Sequence, residues 1–193
     1  MGAFDYLVTL LSFVYALALT HLLTSITELV RARDRVRFSW VQALWMTNAL
    51  LLLLLNWLQQ YANRAVHRWT VLNVTITFAF AVLQYFACSF VSPPVPERGP
   101  VDLQAFHDRE KLTYLTAYAL MGVLAPVSNW YEWQLTHQAG LHEFLVQQLP
   151  AVPGFAIIAL AMFVKQRRVE VTLAALSMGL LAIFGAEGTG DLI

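Results

Sequence analysis

FDYLVTLLSFVYALALTHLLTSITELVRARDRVR, residues 4–37, is the stretch whose reading decides the fold. Its interval from Leu7 to Ile26 holds 20 residues with no Asp, Glu, Lys or Arg. At about 1.5 Å of rise per residue, a helix of that length spans the roughly 30 Å hydrocarbon core of a bilayer. The stretch therefore reads as a transmembrane helix that stops at Arg31, Arg33, Arg35 and Arg37. Inside it lie Thr20, His21, Thr24 and Ser25. An ionisable side chain at membrane depth is costly and marks a functional site by default, which makes His21 the first candidate.

Working outward, the whole chain carries the same signature. Of its 193 residues 59% are hydrophobic and 12% charged, whereas an ordinary soluble domain has about 25% charged residues. Basic and acidic residues number 12 each, so net charge points to neither nucleic acid nor an acidic substrate. The one cysteine, Cys88, lies in an apolar run, which excludes an intrachain disulfide and predicts a buried, inert thiol. The first apolar run has no basic segment before it, is too long for a signal-peptide core and lacks an A-x-A site. The first helix is therefore expected to be retained.

Hydrophobic runs bounded by charged, Pro-rich or Gly-rich segments predict an all-α polytopic bundle, a single integral membrane domain over residues 1–193. Six transmembrane helices are expected at 4–30, 39–61, 69–91, 112–134, 149–164 and 169–186. The fifth should extend backwards through Phe144 to Leu149, with Pro150 and Pro153 kinking it. Ten of the twelve basic residues fall in three alternate loops: the four arginines above, then Arg98, Arg109 and Lys111, then Lys165, Arg167 and Arg168. Only Arg64 and Arg68 lie on the other side. Cytoplasmic loops are enriched in Lys and Arg, so both termini are expected outside. The long connection Ser92 to Lys111 reads as an extended Pro-rich half followed by an interfacial helix.

Antiparallel spans convert sequence position into depth. An inner polar layer is expected from His21, Thr24, Trp45, Asn48, Gln84, Tyr85 and Tyr118. An outer vestibule is expected from Asn56, Asn73, Asn129 and Glu132. The fifth and sixth helices contribute almost nothing polar to either layer, so the first four should enclose the polar interior while the last two cover it. The competing reading is that these amides and hydroxyls only hold helices together, since interhelical hydrogen bonds contribute about 0.6 to 2 kcal/mol each. Ala175, Gly179, Ala182 and Ala186 form a small-residue stripe on the sixth helix and predict close packing there, including across a homo-oligomer.

No H-E-x-x-H, G-x-S-x-G, P-loop or G-x-G-x-x-G occurs. His21 has no second membrane histidine to share a haem with, and the other histidines fall in the expected loops. No catalytic residue, metal ligand set or cofactor is therefore expected. The opening Phe4-Asp5-Tyr6-Leu7, then Ala18-Leu19-Thr20-His21-Leu22-Leu23 and an arginine-rich turn with Trp40 beyond it, resembles a group of small uncharacterised bacterial polytopic inner-membrane proteins. The likeness runs loosely through Asn48 and Trp57 and implies a bacterial inner-membrane location, without carrying over any functional residue. In size and span number the chain is also similar to six-span urea and amide channels, although none of their motifs is matched. Three classes follow in order of preference: a channel or transporter for a small solute, ion or proton; a membrane partner subunit without conduction; and a membrane enzyme or cofactor protein. The partners expected are the lipid bilayer and a second copy through the sixth helix, with no nucleic acid.

Overall fold

The structure is a computed structural model and describes residues 3–62, 70–136 and 140–188. Residues 63–69, with Arg64 and Arg68, lie outside the described residues. Helix α1, Ala3–Arg31, buries Leu7, Leu11, Tyr15, Ala18, Leu22 and Ser25. That spacing of three and four places one stripe of side chains on one face. A short 3-10 turn at Arg33–Arg35 leads to strand β1, Val36–Arg37, and then to helix α2, Trp40–Ala62. Helix α3, Val71–Val91, starts at Thr70, whose hydroxyl accepts from the Asn73 amide at 3.2 Å as an N-cap. Its buried face is Asn73, Thr77, Ala81, Gln84, Cys88 and Val91, again one stripe at helical spacing.

The Pro-rich connection carries no helix or strand over residues 93–100, and within its bend at 97–99 Gly99 takes a φ of +99°, which a residue with a Cβ adopts only under strain. Strand β2, Val101–Asp102, pairs in parallel with β1, Val36 opposite Val101 and Arg37 opposite Asp102. Arg37 Nη1 bonds Asp102 Oδ2 at 3.0 Å, Arg35 Nη1 donates to the Gly99 carbonyl at 2.8 Å, and Ser39 Oγ donates to Gln104 Oε1 at 2.7 Å. These contacts tie two loops together at one end of the bundle. Asp102 also caps helix α4, Leu103–Thr136, accepting from the amides of Gln104 and Ala105 at 2.9 Å. The Ala105 amide above all, helped by Arg37 and the Gln104 amide, holds its carboxyl below the usual range against the opposing effect of desolvation.

The start of α4 corrects the expected boundary at residue 112. Residues 103–111 are its first turns, continuous with the rest of the helix, because Asp102 satisfies the free amides there. Helix α5, Leu141–Gln148, a 3-10 turn at Leu149–Ala151 and helix α6, Val152–Phe163, form the expected proline-broken rod. Helix α7, Arg167–Gly188, closes the bundle.

Helix α3 packs between α1 and α4; α2 touches α1, α3, α4 and α7; α6 covers α4 and α7. Among the described residues, five helical segments are long and apolar enough to cross a membrane: Tyr6–Arg31, Trp40–Gln60, Val71–Val91, Leu141–Phe163 and Arg167–Gly185. The chain is thus an all-helical protein built to be embedded in a membrane. Helix α7 is a wall of the interior and not only its cover, which corrects the expectation that the last two helices cover the polar interior while contributing almost nothing polar to it. Its Ala174 carbonyl accepts from Asn48 at 3.0 Å, and its Glu170 is buried.

Candidate functional site

Asn56, Gln59 and Gln60 occupy the last turns of α2, where the Leu50–Leu55 run gives way to amides. With Thr77 of α3 and Ser128 and Asn129 of α4 they line a cavity of about 360 Å³ at that end of the bundle. Asn56 Nδ2 donates to Gln84 Oε1 at 2.6 Å, and Gln84 Nε2 faces Cys88 Sγ at 3.6 Å. A more apolar space of about 260 Å³ shares Asn56, Phe80 and Ala125 with this cavity and reaches inward to Tyr118 and Ser177. One turn before Thr77, Asn73 is fully buried, and neither of its side-chain amide atoms is hydrogen-bonded among the described residues.

Aromatic side chains fill the middle of the bundle. The Tyr118 ring lies 5.7 Å from Trp45, and Trp45 lies 6.1 Å from Tyr114. All three are buried, so the space below Tyr118 is packed with rings. Asn48, one turn along α2 from Trp45, donates to the carbonyls of Leu44 and Ala174 at 3.0 Å and so pins α7 to α2.

Beyond the rings, at the end that carries the β1–β2 pair, is a buried ionic cluster. Lys111 Nζ lies 2.7 Å from Glu170 Oε1 and also donates to the Val164 carbonyl. Only 12% of the Lys111 side chain and 5% of Glu170 is exposed, so the pair compensates two charges that would otherwise be costly to bury. His107 Nε2 lies 3.6 Å from the same Oε1, and His107 Nδ1 is 2.6 Å from the Tyr114 hydroxyl. Burial pushes the His107 imidazole below its ordinary 6.5; Glu170 and Asp108 pull it upward, while Lys111 adds to the depression. His107 is therefore neutral, with Glu170 balanced by Lys111. His107, Asp108 and Glu170 have ligand atoms within 4.8 Å of one another, but Lys111 already occupies the Glu170 oxygen that would face a cation. Tyr114 likewise occupies one imidazole nitrogen. The chemistry of the donors is that of an internally neutralised network.

Several expected site residues meet in the interior: Trp45, Asn48, Gln84 and Tyr118 are buried, and Asn56 is half-buried and bonded to Gln84. The Asn56–Gln84 bond joins the two layers that depth alone had separated. Others do not meet them. His21 and Thr24 are on the exposed face of α1, with His21 Nε2 3.5 Å from Ser89 Oγ. The expectation that His21 sits with Asn48 and Gln84 is corrected: the apolar stripe ending at Leu22 and Ser25 turns inward and rotates His21 out. Tyr85 is half-buried beside Phe86, ring centroids 5.9 Å apart. Asn129 is at the exposed cavity mouth, where its amide donates to Gln148 Oε1 at 3.2 Å. The Glu132 side chain lies outside the described residues.

The ionic cluster was not among the expected sites. A signal for it existed: Lys111 and Glu170 are opposite charges at the same end of two different apolar runs, and Glu170 stands in the first turn of the last one. His107 was assigned to a loop because residues 103–111 were not included in the fourth helix. No family model, curated protein or solved structure matches the chain.

Proposed function

We propose that the protein is a six-span bacterial inner-membrane protein with both termini outside, and that it passes a small uncharged, hydrogen-bonding solute. In this reading α4 supplies the remaining span over residues 112–134, which reach about 35 Å at 1.5 Å each, and its turns at 103–111 stand outside the membrane. The basic residues of the β1–β2 end then face the cytoplasm. The observation that carries the functional reading is the amide-lined cavity of Asn56, Gln59, Gln60 and Asn129 at the opposite, outer end. Neutral amides both donate and accept hydrogen bonds. They replace part of a solute's hydration shell by both donating and accepting, without adding a formal charge.

The solute enters from outside and meets Asn56 and Gln84, while the rings of Trp45, Tyr114 and Tyr118 close the inner side in this conformation. Conduction then requires these rings to move. Purified protein in liposomes should swell under gradients of urea, small amides or glycerol faster than empty liposomes, and Asn56→Leu should slow that swelling. Swelling equal to that of empty liposomes for every neutral solute would overturn the reading.

A second reading, a partner subunit, is supported by the outward polar face of Thr20, His21 and Thr24 on α1. An imidazole turned toward hydrocarbon is costly, and a partner helix would cover it. Disulfide crosslinking through Thr24→Cys tests this reading.

A further inference from the structure

A second concave surface lies away from the amide cavity, at the end with the arginine cluster. The C-terminal turns of α1 and the N-terminal half of α2 diverge there around a groove of about 440 Å³, within the usual size of a ligand pocket. Ile26, Met46 and Leu50 form its walls, and Leu103 closes it. Met46 and Leu103 are buried at 5% and 3% exposure. At the rim are Phe38, which meets Trp40 edge-on at 5.0 Å, and one charged residue, Arg33.

The four arginines of this turn divide into two kinds. Arg35 is committed to the Gly99 carbonyl and Arg37 to Asp102. Among the described residues Arg33 has one ion-pair partner, Asp34, at 3.9 Å with both side chains largely exposed. Arg31 has no carboxylate within ion-pair distance among the described residues. The same turn thus offers one groove-lining guanidinium, Arg33, held only by a long, solvent-exposed pair with Asp34, and two residues before it the exposed Arg31. A guanidinium matches phosphate oxygens in a bidentate way, and exposed aromatics such as Trp40 sit at the headgroup level.

We propose that this groove is a binding site for an anionic phospholipid, with one acyl chain lying between α1 and α2 and the headgroup phosphate held by Arg33 and Arg31. The site is separate from the amide cavity, which lies on the other side of α2 and at the other end of the bundle. Charge complementarity selects the lipid: Arg31, Arg33 and Arg35 outnumber the one carboxylate, Asp34, paired with them in this turn, and the slot is lined mainly by apolar side chains.

The test is native mass spectrometry of the full-length protein in detergent with dioleoylphosphatidylglycerol or dioleoylphosphatidylcholine. The wild type should retain the anionic lipid preferentially. Arg33→Gln should weaken it about fivefold and Arg31→Gln/Arg33→Gln about thirtyfold, from the usual contribution of a basic residue at a membrane surface. Thr47→Trp, at an exposed groove-lining position, should fill the slot and remove the adduct while leaving the arginines in place. Inorganic phosphate at the same concentration should not displace the lipid. Equal retention of the two lipids by the wild type, an adduct that survives Thr47→Trp, or displacement by phosphate alone would each overturn the proposal.

Discussion

Replacing Lys111 with methionine keeps much of the side-chain volume and removes only the charge that neutralises Glu170. In the wild type, Lys111 donates to both Glu170 Oε1 and the Val164 carbonyl. The variant leaves a carboxylate at 5% exposure without its cation. Hydrogen bonds to charged groups contribute about 1.5 to 3 kcal/mol, and breaking one side of a buried pair costs about 3 to 5 kcal/mol. Lys111→Met should therefore destabilise by about 3 to 5 kcal/mol at neutral pH, read by SDS unfolding in mixed micelles with tryptophan fluorescence.

The pH dependence makes the argument sharper, because His107 Nε2 stands 3.6 Å from the same oxygen. In the wild type burial depresses the imidazole pKa below 6.5. The stability this contributes is present above that value and is lost as pH falls below it. Removing Lys111 deletes one cause of the depression and leaves Glu170 pulling upward. The imidazole is then less depressed than in the wild type, so less stability is lost as pH falls. The penalty of Lys111→Met should thus be smaller at about pH 5.5 than at about pH 8. Adding Glu170→Gln should recover stability, since no orphan charge remains. A loss below about 1 kcal/mol, the level of an exposed pair, or the same loss at both pH values, would refute the reasoning.

Tyr114→Phe should cost about 1 to 3 kcal/mol in the same assay, because it leaves the buried His107 Nδ1 without its partner. Gly122→Ala places a Cβ 2.5 Å from the Phe155 ring and should loosen α6 from α4 by about 1 to 3 kcal/mol. Gly179→Ala meets nothing within 4 Å and should be neutral or up to about 1 kcal/mol stabilising; a cost would reveal an unseen neighbour on that face. For topology, in a Cys88→Ala background, Arg98→Cys should react with an impermeant thiol reagent only after the membrane is opened, and Leu141→Cys in intact cells. The reverse pattern would invert the assignment of outside and inside.

The elements themselves were legible in the chain. Long charge-free runs have one solution in hydrocarbon, since a helix satisfies its own backbone groups, and the expected helices appear within a few residues of their expected bounds apart from the early start of α4. Pro150 and Pro153 marked the break between α5 and α6 for the same local reason. Position along each helix was readable to about a turn or two, because rise per residue is fixed, but the two expected polar layers run together through the Asn56–Gln84 bond. Rotation about each helix axis was not readable. His21 and Gln84 were placed at one level, yet one faces outward and the other is fully buried. That choice is made by which stripe packs best against neighbours, a property of the assembled bundle. The Lys111–Glu170 pair spans 59 residues of sequence and exists only because α4 begins early and α7 packs into the wall. Asp102 contributes locally by capping α4, but the approach of α7 that completes the buried pair is decided by tertiary packing alone.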